Sequence, residues 1–156
     1  MNDLKAAFEE LGFANVTTYI QSGNVLFSTD KQNKQSLVSV IEQHLSKKFN
    51  YLSQIVLVSV EQLRKIVESA PELFGDEPED YKYNVLFIKE PLTAEQALKF
   101  IPVKEGVDKV SAGDGVLYFA QLRSKMSQGY LKIIGQPIYK EMTIRNWNTT
   151  TTLLTK

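Results

Sequence analysis

The chain has no cysteine, and that absence removes disulfides, thiolate metal sites and cysteine nucleophiles from consideration. It has one histidine, His44, so a metal centre built on several imidazoles is excluded, as is any relay that needs two. No apolar run is long enough to span a bilayer, and Met1-Asn2-Asp3-Leu4-Lys5 lacks the basic segment and apolar stretch of a secretory signal. A cytoplasmic protein without a membrane partner is expected. Charge of one sign is also missing: 18 bases balance 18 acids, whereas a nucleic-acid-binding protein is usually basic overall.

What is present is ordinary globular composition, 43% hydrophobic and 23% charged over 156 residues, enough for one domain or two closely packed halves. The charges are unevenly placed. Residues 1–60 carry five acids and five bases, residues 61–120 twelve and seven, and residues 121–156 one and six. The acidic middle and the basic end can neutralise each other across the fold, or the basic end can form a local anion site.

Leu4, Ala7, Phe8 and Leu11 recur at i, i+3, i+4 and i+7, which predicts an amphipathic helix stopped by Gly12. A hairpin follows, with strands on either side of Ser22-Gly23-Asn24. Leu37, Val40, Ile41 and Leu45 predict a longer helix, and Ile55 to Val58 a continuous apolar strand. Ser59 with Gln62 reads as a capping box for a helix through Leu63, Ile66, Val67 and Ala70, ended near Pro71.

Past the charged stretch Gly75-Asp76-Glu77-Pro78-Glu79-Asp80 the same phrase returns in full. It reads as a strand (Tyr83 to Ile88), a helix capped by Thr93 and Gln96, a hairpin about Gly113-Asp114-Gly115, a short helix (about Gln128 to Ile134) and a strand (Met142 to Arg145). That order is the split βαββαβ arrangement. The expected fold is therefore α+β, a duplication of two ferredoxin-like halves with the first lacking its first strand. The divisions are 1–59 for the incomplete half, 60–80 for a connecting helix and acidic loop, and 81–156 for the second half with a C-terminal helix. Strand one is central in the 4-1-3-2 order, so its loss leaves backbone groups unpaired, and either a homodimer through the incomplete sheet or a poorly soluble chain is expected.

Three stretches carry a resemblance beyond this pattern. They are Leu4-Lys5-Ala6-Ala7-Phe8-Glu9-Glu10-Leu11-Gly12-Phe13, Thr18-Tyr19-Ile20-Gln21-Ser22-Gly23-Asn24-Val25, and Thr143-Ile144-Arg145-Asn146-Trp147-Asn148-Thr149. In them the chain resembles the mostly bacterial family catalogued as domain of unknown function 1697, over essentially its whole length. The resemblance implies a duplicated fold of ferredoxin-like halves and brings no established activity. Relatives begin with a strand and a Gly-rich loop that this sequence lacks, which implies that Met1 corresponds to an internal methionine of a longer chain.

Candidate site residues come from topology. Arg123, Ser124 and Lys125 follow the third strand of the second half, Arg145 and Asn146 end its fourth, and Lys82 begins its first. Together with a helix N-terminus near Ser127 they are expected to converge on a phosphate or carboxylate. Gln21 and Asn24 at the first hairpin are further candidates, although Ser-Gly and Gly-Asn already serve the turn. Trp147 and Asn148 are candidates as well, although Trp147 also reads as a core anchor and Asn148 as the cap of a last helix. His44 reads as a half-buried structural residue. Tyr83, Phe87, Tyr118 and Phe119 would be needed for the alternative of single-stranded nucleic-acid binding, which the covered faces of a duplicated fold disfavour. No catalytic motif is present for the remaining alternative, a small enzyme. No metal or organic cofactor is expected. The leading expectation is a binding module for an anionic ligand.

Overall fold

The structure is a computed structural model and describes residues 2–19, 23–31, 33–101, 103–128 and 140–156. Among these residues it is a mixed α and β fold with five α-helices and two antiparallel sheets. The chain divides into two compact units, 1–57 with Lys156, and 58–155.

The first unit runs α1 (Asn2–Glu10), β1 (Ala14–Tyr19), β2 (Asn24–Ser28) and α2 (Lys34–Phe49). The apolar stripe of α1 buries Ala7 and Phe8. The chain then leaves the helix through Gly12 at φ +88°, a conformation open to glycine because it lacks a Cβ. Asn33 caps α2 by accepting from the Ser36 amide at 2.9 Å, and Leu37, Ile41 and Leu45 form its buried face. Val40, expected on that face, is 43% exposed. The rings of Phe8, Phe13 and Phe27 meet at centroid separations of 4.4–6.1 Å and centre this core.

One expectation fails here: among the described residues 55–58 join no sheet, and β1 pairs with β2 alone. Ile55 and Leu57 nevertheless pack on the same cluster as Val25 and Phe27. The apolar pattern read the burial correctly, while pairing depends on a neighbour the pattern cannot see.

In the second unit α3 (Val60–Glu68) is followed by β3 (Tyr81–Ile88), α4 (Ala94–Leu98), β4 (Asp108–Ala112), β5 (Val116–Leu122), a 3-10 segment (Arg123–Gln128), β6 (Met142–Asn146) and α5 (Trp147–Leu153). The sheet order is β4-β5-β3-β6, antiparallel throughout. The first strand of this unit thus lies between its third and fourth. Residues opposite each other in such a ladder point to the same side, so the register assigns two faces.

On one face Leu86, Ile88, Leu117, Phe119 and Met142 pack beneath α4, which a complete Thr93–Gln96 capping box starts. On the other, Tyr83, Val85, Phe87, Val116 and Tyr118 are buried. This second face is met by α3 and the segment after it. The Tyr118 hydroxyl donates to the Ile66 carbonyl, and Phe74 lies edge-on to Tyr83, Tyr118 and Trp147 at 4.9–5.5 Å. Residues 60–80, expected as a connector, are therefore part of the second unit, because they supply the cover for an apolar face. Gly75 makes that close approach possible: its φ is +93°, and a Cβ there would lie 2.5 Å from Trp147 Nε1.

Candidate functional site

Polar side chains gather at the end of the second sheet where β3 begins and β5 finishes. Lys82 stands opposite Gln121, Gln121 opposite Asp108, and Asn84 opposite both Phe119 and Asn146. All of them fall on the α4 face, continuing the line of Leu86 and Ile88 outward from the core. One step past the ladder the Arg123 amide still donates to the Asp80 carbonyl at 2.8 Å. Arg123 itself begins the 3-10 segment that follows β5. The Arg123 Nε donates to the Pro78 carbonyl at 2.8 Å, which fixes the guanidinium stem while the residue stays exposed.

Deeper on this face the polar groups are almost dry. Gln121 is 0% exposed, Asn84 3% and Asp108 7%. Asp108 Oδ2 accepts from the Lys104 amide at 3.0 Å, and Gln121 Nε2 reaches Asp108 Oδ1 at a long 3.4 Å. Among the described residues Asn84 Nδ2 and Gln121 Oε1 have no partner. Sequence reasoning passed over this trio. The available signal was a polar residue inside an apolar strand, Asn84 within Tyr83–Ile88 and Gln121 after Val116–Ala120.

The six residues expected to converge fall at different places in the second unit. Arg123, Ser124 and Lys125 are consecutive and exposed just past the end of β5, and Lys82 is in the neighbouring strand β3. Arg145 does not join them. It stands opposite Val85, hence on the α3 face, and about 10 Å along β3 from Lys82. Its Nη1 donates to the Ile144 carbonyl at 3.0 Å. The expectation erred because both ends of neighbouring strands were placed at one edge without counting the two-residue alternation. Asn146 is on the Lys82 face, but its Oδ1 accepts from the Asn148 and Thr149 amides at 2.7 and 3.4 Å. Asn146, rather than Asn148, is therefore the cap of α5, and Trp147 is its first residue.

The other candidates resolve as structure. Asn24 is buried, and its Nδ2 donates to the Tyr19 carbonyl at 3.1 Å, which closes the first hairpin. Gln21 lies outside the described residues, as does the helix expected through Ile134. His44 Nε2 sits 3.9 Å from Glu10 Oε1. Glu10 also accepts a hydrogen bond from Lys48, which holds its carboxyl below the usual range. Tyr83, Phe87, Tyr118 and Phe119 are 9%, 6%, 2% and 1% exposed, so none offers a base a stacking surface. The buried Tyr118 phenol is held above its ordinary value by desolvation, with Asp114 adding repulsion.

Among the described residues no group of three or more His, Asp or Glu side chains is placed to hold a metal, and no helix is long and apolar enough to cross a membrane. A family model described as "Protein of unknown function (DUF1697)" matches residues 1–118. No curated protein sequence matches the chain. Among solved structures, a conserved bacterial protein from Streptococcus pneumoniae is similar in fold. It has a TM-score of 0.84 and 22% identity, with 99% of this chain and 87% of that one covered.

Proposed function

Because the chain belongs to the DUF1697 family, described only as of unknown function, we propose its role from geometry: a binding module for an anionic ligand at the corner of the second sheet. Lys82 and Arg123 are the principal contacts, with Ser124 and Lys125 at the rim. The reading is supported by Arg123 following directly on β5, the strand that pairs with β3 beside Lys82, with its amide on the Asp80 carbonyl and its guanidinium steadied through Nε by Pro78. Arginine has five N–H donors, of which the Pro78 carbonyl takes one, and the terminal nitrogens carry the fork that suits a phosphate. The neighbouring loop holds Asp76, Glu77, Glu79 and Asp80. Those acids compete for the same cations, which favours a multiply charged phosphate over a single carboxylate.

The fold reading that underlies this proposal is a duplicated ferredoxin-like arrangement. It is supported by the β4-β5-β3-β6 order of the second unit and by the helix, hairpin, helix succession of the first.

Calorimetric titration at low salt with inorganic phosphate, pyrophosphate and acetate tests the ligand class. Pyrophosphate is expected to bind most tightly. Arg123→Gln and Lys82→Gln should each weaken it about tenfold, the worth of a charge-assisted hydrogen bond, and Arg145→Gln should not. Equal loss in all three variants would mean a diffuse charge effect and would end the assignment.

A further inference from the structure

The end of α1 carries a charge that its own helix does not favour. Glu10 is the last residue of α1, where the helix dipole is negative, and the last turn holds no basic residue to offset it. The offsetting charge comes from α2. His44 and Lys48, four residues apart and hence on one face of α2, approach the same oxygen: Lys48 Nζ donates to Glu10 Oε1, and His44 Nε2 stands 3.9 Å from it. Both contacts tie α1 to α2.

The two bases differ in one respect. A lysine keeps its charge near neutrality, whereas an imidazole gains or loses it between pH 5 and 8. The His44 side chain is 28% exposed, but the Nε2 atom that faces Glu10 is screened from solvent, so a proton placed there turns to the carboxylate rather than to bulk water. The contact is short of a hydrogen bond, and a side-chain movement of about 1 Å closes it. Among the described residues the charges set around the ring are Glu10 from α1 and Lys48 from the next turn of α2. Lys47, beside Lys48, is exposed, and Glu42, two residues before the ring, has its Oε2 on the Ile55 amide at 2.8 Å. The Lys48 hydrogen bond above all holds the Glu10 carboxyl below its ordinary 4.5, so Glu10 is ionised across the range in which an imidazole titrates.

We propose that His44 is a pH-operated clasp in the first unit: its imidazolium joins Lys48 on the Glu10 carboxylate and draws the end of α1 against α2 in mild acid, and its neutral form leaves the carboxylate to Lys48 alone. This device rests on no part of the anion proposal. Its sign follows from the three charges. With Glu10 between them the two cations are bridged; without it they are like charges one turn apart and repel. Acidification therefore tightens α1 only while Glu10 is present.

Hydrogen exchange of the full chain, resolved by magnetic resonance and corrected for the intrinsic pH dependence of amide exchange, reads the clasp along α1 at about pH 7.5 and 5.5, either side of an imidazole's ordinary midpoint. His44→Gln carries every other titrating group and sets the background. On acidification, exchange across α1 should slow about twofold more in wild type than in His44→Gln, the size of an exposed ion pair. In Glu10→Gln that extra slowing should be absent or reversed. Because His44 is the only histidine, its ring gives a single titration, and the amide resonances of Glu10 and Leu11 should follow it with the same midpoint. Wild type and His44→Gln responding alike, extra slowing that survives in Glu10→Gln, or α1 amides that ignore the ring titration would each overturn the proposal.

Discussion

Replacing Tyr118 by phenylalanine isolates one buried interaction. The ring is 2% exposed, and its hydroxyl donates to the Ile66 carbonyl near the end of α3. That carbonyl is in the last turn, where helix acceptors run short of amide partners. The next amides are already directed elsewhere, Ser69 to Lys65 and Ala70 to Val67. The substitution keeps the apolar contacts and strands the acceptor, so the expected loss is about 2 kcal/mol. With a urea dependence of roughly 1–3 kcal/mol/M, the midpoint should fall by about 1 M. Trp147, the only tryptophan, lies in this unit against Phe74 and reports the transition by fluorescence.

The pH dependence supplies a second test of the same group. The folded-state phenol ionises above its ordinary value of 10.0 because it is buried, with Asp114 second. A raised value means that the stabilising contribution is complete below pH 10. It is lost as the pH climbs through the folded-state value, because the unfolded chain ionises first. Wild type should lose stability in that alkaline window, and Tyr118→Phe should lack this component. A change below about 0.5 kcal/mol at neutral pH, with an unaltered alkaline limb, would refute the assignment of Tyr118 as the partner of α3.

Two further substitutions test the cover of the second sheet and its last helix. Gly75→Ala places a Cβ 2.5 Å from Trp147 Nε1 at a φ of +93°, and the combined strain and overpacking should cost about 2–4 kcal/mol in urea denaturation with a shifted tryptophan emission. Asn146→Ala removes the acceptor for the Asn148 and Thr149 amides and should cost about 1 kcal/mol, whereas Asn148→Ala should be close to neutral.

Local signals in the sequence carried much of this architecture. The i, i+3, i+4 stripe of Leu4 to Leu11 and the glycine after it gave α1, and Thr93 with Gln96 gave the start of α4, because the causes of these features lie within one turn of chain. The strand order of the second unit followed from the element order alone. Features set by distant partners were harder to read. Nothing local says that Phe74 and Ile66 cover the Tyr118 face, or that Ile55 to Leu57 packs on a core without entering a ladder. The candidate site divides in the same way. That Arg123 follows the strand paired with β3 was legible from the element order, while the face of Arg145 depends on a register that fixes Val85 as its opposite. Asn84 and Gln121 escaped notice because a polar residue in a strand takes its meaning from burial.

Backbone-amide magnetic resonance during a pyrophosphate titration tests the sheet-corner site most directly. The resonances of Lys82, Arg123, Ser124 and Lys125 should move together along one saturable curve, with Arg145 and the first hairpin unchanged. Shifts centred on Arg145, or scattered in proportion to surface charge, would contradict it.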